Sequence, residues 1–221
     1  VFKKAKAAGL ITGFVSNGNG TRQVLEYLRP WVDLYKVDLK SFDDHHYHEL
    51  GGRISPILET IRSLYQMGLW LEIVTLLIPG FNDSDDELHR LTEFIASVSV
   101  DIPWHVTAFH KDYKMDDPEN TTALDLLRAA AIGKKVGLRY IYAGNLPSQV
   151  GDLEDTHCHN CGETVIRRSG YLIRSYRITA EGHCPKCGQS LPGRWAGKFD
   201  GQIADSPFLP HRRPHLVTIL N

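Results

Sequence analysis

All four cysteines of this 221-residue chain fall in two short pairs, CHNC at 158–161 and CPKC at 184–187. Two residues between thiolates let both sulfurs reach one tetrahedral ion, and two such pairs complete a four-cysteine site. Each pair is followed by a glycine, Gly162 or Gly188, which lets backbone N–H groups turn toward the thiolates. The 22 residues between the pairs contain ETVIRR and YLIRSYRIT on either side of Ser169-Gly170, a β-hairpin pattern. Knuckle, hairpin and knuckle predict a small zinc ribbon held by Cys158, Cys161, Cys184 and Cys187. Zinc is preferred, and a single iron is the alternative that a set of four thiolates also accepts. Two disulfides fit less well, because the sequence as it stands shows no secretory signal. Two copies argue against a redox C-x-x-C. His157, His159 and His183 flank the thiols, but four sulfurs already close the site, so these imidazoles are expected to be solvated neighbours. A closed four-sulfur site leaves no open position for chemistry, and the metal is expected to be structural.

Up to about residue 145 a different pattern holds. Apolar runs at 10–15, 34–39, 69–78, 104–109 and 139–144 predict strands. Helical spacing predicts helices between them, at 21–30, at 54–67 through Ile54, Ile57, Leu58, Ile61 and Leu64, at 84–99 and at 121–136. Thr21 and Ser84 stand where N-caps belong, and DDHHYHEL adds a short helix. Val1 to Ala8 reads as the last turns of a helix stopped by Gly9. Strands alternating with helices imply right-handed crossovers and a parallel sheet, open or closed into a barrel. GNLPSQVGDLEDT (144–156) is polar and reads as a linker, while 196–221 shows no periodicity. The expected organisation is α/β over 1–145, a four-cysteine zinc ribbon over 146–195 and a tail of unassigned structure over 196–221. The formal net charge of −1 provides no field to recruit nucleic acid or an anionic membrane. The longest apolar run, around LEIVTLLIPG, is broken by Glu72, Thr75 and Pro79, well short of the ~20 residues of a membrane span. A cytoplasmic protein without a membrane partner is expected.

In a parallel α/β sheet, chemistry gathers where the strands end at their C-terminal edge. Four predicted strands end in polar residues there: Ser16-Asn17-Gly18, Asp38-Leu39-Lys40, Pro79 to Asp83, and His110-Lys111-Asp112. Strand alternation puts Asp38 and Lys40 on one side, so both can face one pocket, suited to a zwitterion with a ribose. The motifs FVSNG, YKVDLKSF, LIPGFNDSDDEL and TAFHKDYKM, in that order, resemble the glycyl-radical-activating branch of the radical S-adenosylmethionine (SAM) enzymes. The added GHCPKCGQSLPGRW looks more specifically like the radical SAM member of the AmmeMemoRadiSam system, and the resemblance covers about residues 1 to 195. It implies the C-terminal part of a partial (β/α) radical SAM barrel followed by the ribbon. It also implies that Ser16, Asn17, Asp38, Lys40 and His110 line the SAM site, with Asp38 and Lys40 at the methionine end and His110 near the adenosine. Val15 stands where relatives often place an acid, so a cation bridging such an acid and the SAM carboxylate is not expected here.

Enzymes of this kind hold a 4Fe–4S cluster on C-x-x-x-C-x-x-C and cleave SAM reductively to a 5′-deoxyadenosyl radical, which abstracts hydrogen from the substrate. That motif is absent from this sequence, and the four thiols present are taken by the ribbon. The chain is therefore expected to be a C-terminal fragment of a radical SAM enzyme, inactive by itself. The resemblance leaves the substrate open, a protein among the options, and implies Memo-like and AMMECR-like proteins as partners. Two other readings stand beside it. One is a non-catalytic α/β protein whose ribbon binds protein or nucleic acid through Arg167, Arg168, Arg174 and Arg177; the other is a shortened paralogue that works as it stands. His45, His46 and His48 are expected to be solvated rather than metal-binding, and Trp70 and Trp104 to be packing residues.

Overall fold

Burial alternates with a period of two along the strands, and this alternation sets which side chains meet helices and which face outward. The computed structural model describes residues 1–195, and the tail expected at 196–221 lies outside the described residues. Five parallel strands form one sheet in sequence order: β1 (Gly13–Ser16), β2 (Leu34–Asp38), β3 (Trp70–Leu77), β4 (Trp104–Ala108) and β5 (Ile141–Gly144). The intervening helices are α2 (Arg22–Leu28), α3 (Asp44–Glu49), α4 (Ile54–Gln66), α5 (Asp85–Val98) and α6 (Ala123–Val136), with α1 (Phe2–Ala7) leading into β1. The register aligns Val37 with Ile73, Ile73 with Trp104 and Trp104 with Ile141, a row buried in the main core. The next row, Asp38, Val74, His105 and Tyr142, therefore points to the opposite face, where burial is partial.

Two helix starts follow the predicted caps at Thr21 and Ser84, and Thr122 caps a third. Thr21 accepts the Val24 N–H, Ser84 the Glu87 N–H, and Thr122 forms a capping box with Asp125. Gly9 follows α1 in a left-handed conformation. The first strand is shorter than LITGFV predicts, beginning at Gly13. The Thr12 N–H and hydroxyl are both drawn to the Asp33 carboxylate, and that carboxylate also accepts from Lys6 at 2.6 Å. The Thr12 carbonyl in turn accepts the Asp33 and Leu34 N–H groups, so contact with β2 begins at Thr12, and Leu10 and Ile11 before it stay exposed.

Segment 144–156 differs from the expected linker. It contains a 3₁₀ helix, Gly151–Glu154, and buries Val150 and Leu153 in the main core. Leu146 packs alongside, so three scattered apolar side chains dock an otherwise polar stretch. An antiparallel sheet follows, β6 (Thr156–His157), β7 (Thr164–Ser169) and β8 (Leu172–Tyr176), with the predicted hairpin turning at Gly170. Its own core is small: Cys158, Val165, Ile166, Ile178, Cys184 and Leu191. Among the described residues no helix is long and apolar enough to cross a membrane.

Helix α6 meets the sheet at Gly133. A Cβ there would lie 2.9 Å from Ile141 Cδ1 and 3.0 Å from the ring of Trp104, itself fully buried. Gly133→Val should therefore destabilise the α/β layer by about 2 kcal/mol, by overpacking against a ring that cannot retreat. Urea denaturation monitored by tryptophan fluorescence reports this, and an unchanged midpoint would show that the contact is not tight.

Candidate functional site

The C-terminal edge of the sheet is built by buried clamps. Asn82, 1% exposed, donates from Nδ2 to the Lys40 carbonyl at 2.6 Å and the Leu76 carbonyl at 2.9 Å, and accepts the Ile78 N–H at 2.7 Å. One amide thus ties the exit of β2 to the end of β3. Glu87 of α5 accepts from the Ser41 hydroxyl at 2.5 Å and the Phe42 N–H at 2.7 Å, fixing the next turn of chain. The Lys40 N–H donates to the Tyr47 hydroxyl at 3.0 Å, and burial first of all pushes that phenol up to about 12. These contacts hold Asp38 and Lys40 side by side: Lys40 Nζ lies 3.3 Å from Asp38 Oδ2, and Lys36 pairs with the other carboxylate oxygen.

Ser16 and Asn17 stand at the neighbouring strand end, since Ser16 is aligned with Val37. Ser16 shares the covered side of the sheet with Val37. Its hydroxyl accepts the Gly18 N–H at 3.1 Å, and Asn17 Oδ1 accepts the Asn19 N–H at 3.0 Å. Gly18 has a φ of 78°, and a Cβ there would come within 2.8 Å of both Ile57 and Val37, so this turn requires glycine on both counts. His110 lies just past β4, exposed, with Nδ1 3.3 Å from the Lys111 carbonyl. The contacts join Asp38 to Lys40; Ser16 ends the neighbouring strand on the covered side, and none of the contacts named joins Ser16, Asn17 or His110 to the pair.

Sequence reading missed a second set of residues on the same face of the sheet. Glu72 accepts the Trp70 indole N–H and a His105 ring nitrogen, both at 2.9 Å. The His105 ring stacks on Tyr142 with centroids 5.0 Å apart, and the Arg168 guanidinium from β7 lies over Tyr142 at 5.5 Å. Burial raises the Glu72 pKa, but the bond and charge of His105 and the Trp70 indole outweigh it, holding the carboxyl below its usual range. The available signal was Glu72 itself, an acid interrupting an apolar strand. Trp104 is a packing residue, as expected, whereas Trp70 is half-buried and committed to Glu72. The arginines of the hairpin do not make one patch: Arg168 turns inward, and Arg177 pairs with Glu163.

The four cysteines converge, all sulfurs lying within 4.8 Å of one another. Cys158 and Cys187 are 3.7 Å apart, as are Cys161 and Cys184. A tetrahedral ion with metal–sulfur bonds of about 2.3 Å requires sulfur–sulfur edges of about 3.8 Å. The cluster therefore has the size of a single-ion site. Both knuckles use the same backbone bonds: Gly162 N–H to Cys158 O and Gly188 N–H to Cys184 O, each 2.9 Å, with Cys158 and Cys184 donating to the carbonyls of Glu163 and Gln189. Burial pushes the Cys158 thiol up, while the Gln189 N–H and the Asn160 amide pull Cys187 down to about 6. Among the described residues this is the one group of three or more His, Cys, Asp or Glu able to share a metal ion. His159 is occupied elsewhere, with Nδ1 2.7 Å from the Tyr140 hydroxyl.

No protein-family model matches the chain. It is 30% identical over 189 residues to an uncharacterized protein of Methanocaldococcus jannaschii, covering 85% of this chain and 56% of that protein. It is 29% identical over 177 residues to the choline trimethylamine-lyase activating enzyme of Oleidesulfovibrio alaskensis, covering 78% of this chain and 50% of that enzyme. A domain of a pyruvate-formate lyase-activating enzyme from Bacteroides vulgatus superimposes with a TM-score of 0.58 at 20% identity, over 65% of this chain and 87% of that one. A radical SAM methyltransferase from Sphaerobacter thermophilus gives 0.52 at 15% identity, over 65% and 45%. The α/β fold is that of radical SAM proteins. The homologues include activating enzymes, and the chain spans about half the length of the curated relatives it matches.

The Glu72–His105 pair carries a pH signature. Because the folded pKa of Glu72 is depressed, the pair contributes stability above the unfolded carboxylate value, and this is lost as pH falls through the folded value. Glu72→Gln should therefore lower stability above the carboxylate range and converge with the unaltered protein as pH falls, giving a flatter acid limb. Urea midpoints collected across acid pH test this, and parallel curves for the two proteins would rule it out.

Proposed function

We propose that the intact protein is a radical SAM enzyme of the activating-enzyme type, with an unidentified substrate. The observation that carries the reading is homology to an activating enzyme over most of the chain, combined with the Asp38–Lys40 pair clamped at the C-terminal edge of the sheet. A carboxylate and an ammonium held together present complementary charges to the amino and carboxylate groups of SAM. Ser16, Asn17 and His110 complete the proposed SAM-binding set from the neighbouring strand ends. With a reduced 4Fe–4S cluster, bound SAM supplies one-electron hydrogen-abstraction chemistry; the residues here bind and orient it. The cluster itself finds no ligand set in this chain, because every cysteine belongs to the single-ion site. No step is assigned to these residues through the cluster, and the reading places its ligands in a part of the protein beyond these 221 residues.

The four-cysteine site is read as structural zinc in a ribbon domain following the barrel part. A core of six buried residues is small for independent folding, and a bound ion supplies the missing free energy. The ribbon is also what supports placing the protein in the AmmeMemoRadiSam system, with Memo-like and AMMECR-like partners.

In the intact enzyme, Asp38→Ala and Lys40→Ala should each weaken SAM binding by on the order of 1–3 kcal/mol, tenfold or more, with a smaller effect for His110→Ala. Calorimetric titration with SAM decides, and unchanged affinity in both charge variants would remove the pair from the site. Purified protein should carry about one zinc per chain, as a closed site of four thiolates requires. Elemental analysis of Cys158→Ser/Cys184→Ser checks the assignment, since zinc retained by the double variant is incompatible with it.

A further inference from the structure

The docked cysteine ribbon closes a space that the sheet alone would leave open. Among the described residues, a cavity of about 640 Å³ lies between the outward face of β3–β5 and the β7–β8 hairpin. This volume is within the about 300–1,000 Å³ typical of small-molecule sites. Two seams hold the far wall in place. Tyr142 Oη and Thr156 Oγ1 are 3.0 Å apart, and Arg168 Nη1 donates to Thr156 Oγ1 at 3.0 Å and the Glu154 carbonyl at 3.3 Å. Asp38 and Lys40, the residues proposed for SAM, do not border this cavity.

Its lining combines three kinds of chemistry. The indoles of Trp70 and Trp195 provide apolar planes, and each N–H is already committed, to Glu72 and to the Leu191 carbonyl respectively. Arg168 contributes a guanidinium that bonds Thr156 and the Glu154 carbonyl through Nη1 and lies over the Tyr142 ring, placing its positive charge at the cavity wall. His105 is oriented by Glu72: an ionised carboxylate accepts only, so Nε2 carries the proton. In its neutral form the ring then offers Nδ1 as an acceptor. The ring cannot swing away, being stacked on Tyr142 and tied to Glu72.

We propose that this cavity binds a small organic acid with a planar apolar body and a hydroxyl group. Its carboxylate pairs with Arg168, its body lies against Trp70 and Trp195, and its hydroxyl donates to Nδ1 of His105. The inference goes beyond the radical SAM reading and does not depend on it, because the binding site stands on the cavity. His105 and Arg168 are then binding residues that determine specificity, and Glu72 is a positioning residue.

The test titrates the purified full chain with 4-hydroxybenzoate, read by quenching of tryptophan fluorescence and by ligand-observed NMR. Saturable binding at millimolar concentration or below is expected, with 4-hydroxybenzamide and benzoate each about tenfold weaker, because each lacks one of the two polar contacts. His105→Gln should abolish the preference for 4-hydroxybenzoate over benzoate and leave benzoate binding unchanged. Arg168→Gln should abolish the preference for the acid over the amide. Arg168 also ties the hairpin down, so if that variant does not fold, the three-ligand series on the unaltered protein decides alone. Equal binding of the three compounds, or no saturable binding of any, overturns the proposal. SAM affinity of the intact enzyme separates the two readings. Probe binding without SAM binding overturns the radical SAM assignment and leaves the cavity assignment, and the reverse outcome does the opposite.

Discussion

The burial of one face of the five-stranded sheet under its helices is the constraint from which the rest of the structure follows. Val37, Ile73, Trp104 and Ile141 share a register row and are all buried. Because side chains alternate, a one-residue slip of β3 would drive Glu72 into the core and lift Ile73 out of it. Burying an unpaired carboxylate and exposing an isoleucine are both unfavourable, so the register is fixed by the apolar face alone. The polar face carries no such energy of its own. Lys36, Asp38, Glu72, His105 and Tyr142 occupy one surface because their neighbours in sequence are held on the other.

This division explains what was legible in the sequence. The strand and helix order, the caps at Thr21 and Ser84, and the hairpin at Ser169-Gly170 depend on local pattern, and all were readable. The convergence of the cysteines was readable too, because metal-ligand spacing is local within each knuckle and two matching knuckles have few other uses. The start of β1 was not, since Thr12 is held by Asp33, a residue 21 positions away, and the apolar Leu10 and Ile11 before it stay exposed. Nor was the docking of 144–156, where Leu146, Val150 and Leu153 are scattered apolar signals in a polar segment. Glu72 was visible only as an interruption of an apolar run. Its partner His105 lies 33 residues on and is brought close by β-pairing that no local pattern encodes.

The C-terminal edge illustrates how a buried polar network positions exposed charge. Asn82 has both ends of its amide engaged and Glu87 accepts two bonds, so the turns after β2 and β3 are satisfied internally rather than by water. Removing one such clamp would leave buried groups unpaired at about 1–3 kcal/mol each, which is why the network holds its geometry. Asp38 and Lys40 are therefore carried on a preorganised segment. In the proposed SAM-binding role this would favour affinity, because a preorganised site loses less entropy on binding.

The two polar regions of this face depend on different sources of rigidity. The Asp38–Lys40 edge is supported by the sheet core and by Asn82 and Glu87, none of which touches the cysteine cluster. The cavity beside Glu72 and His105 has one wall from that sheet and one from a hairpin whose own core is six residues, two of them cysteines. Four thiols gathered within 4.8 Å cannot all ionise without a cation, because like charges at that separation repel. A metal removes that conflict, lets every sulfur act as a thiolate ligand and fixes the two knuckles to one centre. Tyr140, bonded to His159 between the first two ligands, and Arg168, bonded to Thr156 just before them, connect the centre to β5. The four-cysteine cluster thereby bears on the shape of the proposed cavity through the hairpin it anchors.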